Sequence, residues 1–130
     1  MTWGMHYLVT LEFESGIRVV CKLMEHPELR KLLAKSPFNA KAERWGDEIY
    51  FELPVKLELR GERTLMDVGE VAYWPEGNSL CIFFGPTPIS RGEKPVAYSE
   101  VKPLGKVVEG LEYLREVKGD DTIYVRIEAE

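Results

Sequence analysis

The stretch Tyr7-Leu8-Val9-Thr10-Leu11-Glu12-Phe13-Glu14-Ser15-Gly16-Ile17-Arg18-Val19-Val20-Cys21-Lys22-Leu23 sets the fold class. Tyr7, Val9, Leu11 and Phe13 alternate onto one face, with Thr10 and Glu12 on the other. After Glu14-Ser15-Gly16 the alternation resumes, with Ile17, Val19, Cys21 and Leu23 set against Arg18 and Lys22. Successive strand side chains point to opposite faces, so a period of two reads as a strand buried on one side. Two such runs joined by a Gly-containing turn read as a β-hairpin.

The pattern continues outward from this hairpin. His26-Pro27-Glu28 opens a short helix striped by Leu29, Leu32 and Leu33, since proline is tolerated where a helix begins. Ser36-Pro37 ends it. An extended segment from Phe38 to Trp45 leads through a Gly46-Asp47 turn to Glu48–Leu53, and Pro54 to Leu59 alternates again. Val68 to Trp74, a Pro75-Glu76-Gly77-Asn78 turn and Ser79 to Phe84 follow. A long loop is expected from Gly85 to about Pro103, then a strand at Gly105–Val108. A helix from Glu109 to Lys118 ends at Gly119, and Thr122 to Ala129 is the last strand. Seven to nine strands with two helices exclude repeated βαβ units, and closure into a barrel would remove the exposed edges of so large a set.

The 130 residues fit one domain, 1–130, with one core. A net charge of −5 and the lack of a basic cluster argue against nucleic acid and an anionic membrane as partners. Many Lys, Glu and Arg, two Asn and no Gln give a composition met in proteins from hot environments. Nothing from Met1 to His6 reads as a signal peptide, and no apolar run is long enough to span a membrane, so a cytoplasmic location is expected. Cys21 and Cys81 sit inside apolar runs and read as buried thiols. His6 and His26 lack partners at ligand spacing, and no Gly-rich phosphate loop is present, so neither a metal nor another cofactor is expected.

Ser79-Leu80-Cys81-Ile82-Phe83-Phe84-Gly85-Pro86-Thr87-Pro88 resembles the cyclophilin strand that ends in a Thr-Pro loop. Leu104-Gly105-Lys106-Val107-Val108-Glu109-Gly110-Leu111 is similar to the cyclophilin segment before the last helix. Gly46–Phe51 and Ala72–Asn78 look like a narrower group of small archaeal and bacterial proteins of cyclophilin-like fold. This resemblance runs from about Phe38 to Val117. It implies a closed eight-stranded β-barrel with two short capping helices. The prolyl isomerases of the superfamily carry an arginine on a Phe-His-Arg strand, where this chain has Phe38-Asn39-Ala40. Their Gln-Gly-Gly segment is absent here. Their pocket phenylalanine falls near Ile82, and Val101 stands near the place of their histidine.

Arg44 is in phase with Phe38, Ala40 and Ala42, so it is a candidate to anchor a ligand carbonyl or carboxylate. Trp45, Tyr73 and Trp74, with Phe83 or Phe84, are candidate pocket walls, although Tyr73 and Trp74 are adjacent and only one can point inward. Glu48 shares a face with Tyr50 and could meet Arg44 across a groove, but a solvated strand face is the favoured reading. Thr87, Ser90 and Arg91 lie on the long loop, a place where binding residues concentrate. The leading expectation is a domain that binds a small molecule or peptide segment in a groove on the barrel. A divergent peptidyl-prolyl isomerase is the second reading. A structural module, with a homo-oligomer as its form, is the third.

Overall fold

The computed structural model describes residues 5–130; the reading of Met1 to Gly4 lies outside them. The chain is mainly β, with ten strands and two short helical segments. In order these are β1 (His6–Phe13), β2 (Arg18–Met24), helix α1 (Leu29–Leu33), β3 (Phe38–Lys41), β4 (Glu43–Trp45) and β5 (Glu48–Glu52). Then come β6 (Arg63–Leu65), β7 (Glu70–Trp74), β8 (Ser79–Phe83), β9 (Val96–Glu109), a 3-10 helix (Leu111–Glu116) and β10 (Thr122–Ala129).

The hydrogen-bonded order is β3-β10-β1-β2-β9-β7-β8-β5-β4, all antiparallel, with β6 pairing β9 off this path. The N-terminal hairpin forms as expected, with Val9 opposite Cys21 and Leu11 opposite Val19. Its inward residues are buried, because alternation places Tyr7, Val9, Leu11, Phe13, Val19, Cys21 and Leu23 on one face. The expected closed eight-stranded barrel is corrected on two counts: there are ten strands, and the path is open, with β3 and β4 at its ends. Those ends are successive parts of one segment, broken at Ala42. The turn before β10 takes the backbone groups of Ala42: its N–H donates to the Asp121 carbonyl at 2.8 Å, and its carbonyl accepts from the Asp120 N–H at 2.7 Å. That leaves Ala42 out of both ladders.

Three other expectations change. Pro54 to Leu59 is irregular rather than a strand, because side chains have taken its backbone groups. Asn78 Nδ2 donates to the Val55 carbonyl at 3.1 Å, the Leu57 N–H donates to Asn78 Oδ1, and the Glu58 N–H donates to Glu28. The helix expected from Glu109 is only one short 3-10 segment, entered through Gly110 at φ 88°. The loop expected to reach Pro103 ends by Pro95. Strand β9 begins at Val96 and serves three partners along its length: β6, then β7, then β2. No helix of the described chain is long and apolar enough to cross a membrane.

The buried residues form two clusters. The larger fills the space enclosed by the sheet and includes Val9, Leu11, Val19, Cys21, Phe51, Tyr73, Ile82, Leu104, Leu114 and Ile123. The smaller lies on the opposite face of β5, β8 and β7, under the first half of β9, and comprises Met66, Ala72, Cys81, Phe83, Ala97 and Val101. All five residues of β8 are buried, since that strand is covered on both sides.

Candidate functional site

The second layer is not sealed. Beside it lies a recess of about 220 Å³, lined by Trp45, Glu48, Tyr50, Trp74, Ala97, Tyr98 and Val101. Strand register explains why these residues meet. On β4 and β5, Trp45 is opposite Glu48 and Glu43 is opposite Tyr50, so Trp45, Glu48 and Tyr50 share the outward face. On β5 and β8, Glu48 faces Phe83 and Tyr50 faces Cys81. Trp74 adds the end of β7. The β9 arm lies across the top and contributes Ala97, Tyr98 and Val101.

Four aromatic rings form the walls. Tyr50 and Trp74 stand edge to face with centroids 5.8 Å apart and planes at 81°. Trp74 and Tyr98 are 6.1 Å apart at 78°, and Tyr98 and Trp45 are 5.9 Å apart at 78°. Each successive ring turns a corner, so the series forms a concave wall instead of a flat stack, with Tyr98 exposed at its rim. Trp74 is held firmly. Its indole N–H donates to Ser99 Oγ at 2.7 Å, and the Ser99 hydroxyl donates to Glu76 at 2.7 Å. Gly77 packs against the ring so closely that an added Cβ would collide with Trp74.

Glu48 lines this recess as its one carboxyl group. The solvated strand face expected for it is corrected: Glu48 is only 5% exposed, because β9 covers the outward face of β5 and β8. Burial pushes its carboxyl up to about 7, opposed by a hydrogen bond with the neighbouring Cys81 thiol. Among the described residues no lysine or arginine is close enough to balance it. Burial together with Glu48 also raises Cys81 well above the ordinary thiol value, so this thiol is an inert hydrophobe and not a nucleophile. Cys21 is likewise pushed up to about 12 by burial, in the other cluster.

Arg44 is not in this recess. Its strand register puts it opposite Ile49, on the face away from Trp45 and Glu48. One guanidinium nitrogen donates to the carbonyls of Arg115 at 2.7 Å and Val117 at 3.0 Å. Nε donates to the Gly46 carbonyl at 3.0 Å, and the remaining nitrogen pairs with Asp47 at 3.2 Å. The group also lies 5.2 Å from the centre of the Phe84 ring. Arg44 therefore ties the β4–β5 hairpin to the end of the 3-10 helix, and the expected meeting with Glu48 does not occur.

The other predicted residues divide. Trp45 and Trp74 line the recess. Phe83 lies fully buried in the layer beside it. Tyr73 points the other way, into the large core, where its hydroxyl donates to the Leu57 carbonyl at 3.1 Å and also meets Asn78. Thr87 and Ser90 brace their own loop: the Thr87 hydroxyl donates to the Val96 carbonyl at 2.6 Å, and Ser90 Oγ accepts from the Thr87 N–H at 2.9 Å. Arg91 is exposed on that loop and does not line the recess. Tyr98, Ala97 and Val101 escape the sequence reading as walls because Pro95 and the preceding glycines mark the region as loop. The alternation of Ala97, Ser99 and Val101 against Tyr98 and Glu100 is the signal that could have found Ala97 and Val101, while Tyr98 stands on the other face of that strand. Among the described residues no group of His, Cys, Asp and Glu is arranged to hold a metal ion.

The Cyclophilin-like family model matches residues 7–126, and the chain belongs to that family. Among solved structures, the chain is similar to the solution structure of the hypothetical protein AF2241 from Archaeoglobus fulgidus. The two are 34% identical with a TM-score of 0.80, over 95% of this chain and 96% of the other. No curated protein matches the chain.

Proposed function

We propose that this chain is a binding domain whose outward recess takes a small organic group between Trp45, Tyr50, Trp74 and Tyr98. The observation that carries this reading is a concave aromatic box with one buried carboxyl group in it. A few convergent polar groups in an otherwise apolar recess is the usual form of a small-molecule site. At about 220 Å³ the recess is below the range for drug-sized ligands, which favours a head group or the end of a side chain over a long peptide. The two ends of the open ladder, β3 and β4, are joined through Ala42, whose backbone is tied to the turn before β10, and this gives the box a stiff support.

The isomerase reading finds less support. Polarising a prolyl amide needs a free donor facing the substrate. The guanidinium of Arg44 is occupied by three backbone carbonyls and Asp47. The titratable group that does line the recess, Glu48, is a carboxyl group and supplies no positive charge there.

A fragment screen by nitrogen–proton NMR tests the binding reading through the indole signals of Trp45 and Trp74. Binders should move both signals together, and Trp74→Ala should abolish the response while the protein stays folded. Binders that all act elsewhere on the surface would reject the site.

A further inference from the structure

We propose that the ligand of this recess is an alkylated ammonium ion, with the aromatic walls around its alkyl groups and Glu48 as its counter-ion. This rests on the binding reading above and adds the charge and class of the ligand.

The walls favour a soft cation. An aromatic ring carries a negative face, and a cation within about 6 Å of a ring centre is attracted to it, most strongly by tryptophan. Two tryptophans and two tyrosines in successive near-perpendicular pairs offer several such surfaces at once. A compact ammonium with bare N–H groups would lose strong hydration on entering and find few acceptors there. Alkyl groups spread the charge, weaken that hydration and fill the apolar space between the rings.

The carboxyl group decides between a cationic and a neutral occupant. Glu48 is only 5% exposed, lies in the lining, and has no basic partner among the described residues. Left alone, an ionised carboxylate there is costly, so the empty site holds a proton through mildly acidic pH. A bound cation would remove that cost by supplying the missing charge. The groups around Glu48 do not supply it. On its own strand stands Tyr50, whose hydroxyl is pushed up by burial, then by Glu43, Glu48 and Cys81. Strand β8 offers the neutral Cys81, β4 offers Trp45, β7 offers Trp74, and β9 offers Tyr98. The exposed Glu43, Glu76 and Glu100 lie on or beside the same strands, and the chain as a whole carries −5, so the approach favours a cation.

The test is calorimetric titration of the whole chain with choline, and with 3,3-dimethyl-1-butanol, its neutral counterpart of the same shape. Choline should bind at least about tenfold more tightly than the alcohol at pH 8. Its affinity should fall by about tenfold or more between pH 8 and pH 5.5, as Glu48 takes up its proton. Glu48→Gln should weaken choline binding, remove its pH dependence and abolish the preference for choline over the alcohol. A peptide with one trimethyl-lysine forms the second arm: tighter binding than choline assigns the group to a side chain, and weaker binding assigns it to a free small cation. If the alcohol binds as well as choline in wild type, the cationic ligand is overturned and the binding box stands. If neither binds, and the fragment screen also leaves both indoles unmoved, the box itself is rejected.

Discussion

The two faces of strands β5, β8 and β7 carry different chemistry on the same backbone. Inward stand Ile49, Phe51, Leu80, Ile82, Val71 and Tyr73, sealed in the large core. Outward stand Glu48, Tyr50, Cys81, Phe83, Ala72 and Trp74, which meet the arm of β9 and form a thinner layer with an open side. The inward face has shells of strand on every side, so its groups are apolar or, like the Tyr73 hydroxyl, fully hydrogen bonded. The outward face is covered only by the β9 arm and by Met66 beside β6. It tolerates a recess and a carboxyl group without a basic partner. A protein can therefore hold its fold with one face of a strand and leave a binding feature on the other.

Substitution of one phenylalanine on each face gives the largest contrast. Both Phe51 and Phe83 are completely buried. Phe51→Ala should cost roughly 3–5 kcal/mol in denaturant unfolding, the range for emptying a tightly enclosed aromatic site. Phe83→Ala should cost at least about 1 kcal/mol less, because the open recess beside it lets Trp45 and Tyr50 move into the gap. Equal losses would show that the outer layer is as rigidly enclosed as the inner one.

The pH dependence of Glu48 is the next largest effect. Its carboxyl is raised from an ordinary 4.5 to about 7 in the folded chain, so between those values the folded state holds more protons than the unfolded one. Stability contributed at this position is greatest below about pH 4.5, falls as pH rises to about 7, and is then level. At about 1.36 kcal/mol for each pH unit between the two values, the loss is up to roughly 3 kcal/mol. Glu48→Gln should therefore stabilise the protein at pH 8 and make little difference at pH 4, as read from melting curves at the two pH values. An identical change at both would mean that the outer face solvates this carboxyl after all.

Arg44 gives the smallest effect and separates support from site. Arg44→Ala leaves the Arg115 and Val117 carbonyls without their shared donor and removes the contact with Phe84. It should lower stability by about 1–2 kcal/mol and leave binding at Trp74 unchanged. A loss of ligand binding equal to that of Trp74→Ala would return Arg44 to the site.

The family, the hairpins and the strand faces are legible in the residues. Alternation in Tyr7–Leu23 and Thr122–Ala129 assigns each apolar side chain to a face from its immediate neighbours alone. Trp45 and Trp74 are legible as pocket walls because large aromatics at strand ends stand out. Glu48 is misread because a charged residue on an alternating strand normally faces water, and nothing local reports that a strand more than forty residues later will cover it. Arg44 is misread for the opposite reason: its phase is right, but that phase leads to the backbone carbonyls of the 3-10 helix and not to a groove.

Sequence by itself determined that this chain is a β protein, since a two-residue period and turn glycines act over a few neighbouring positions, while the likeness to the cyclophilin-like family rests on the segments Ser79–Pro88 and Leu104–Leu111. Only the tertiary structure decided that β9 would lie across β5, β8 and β7. That arrangement depends on contacts between residues far apart in the chain, and it converts Glu48 from a surface charge into a buried carboxyl group within an aromatic box.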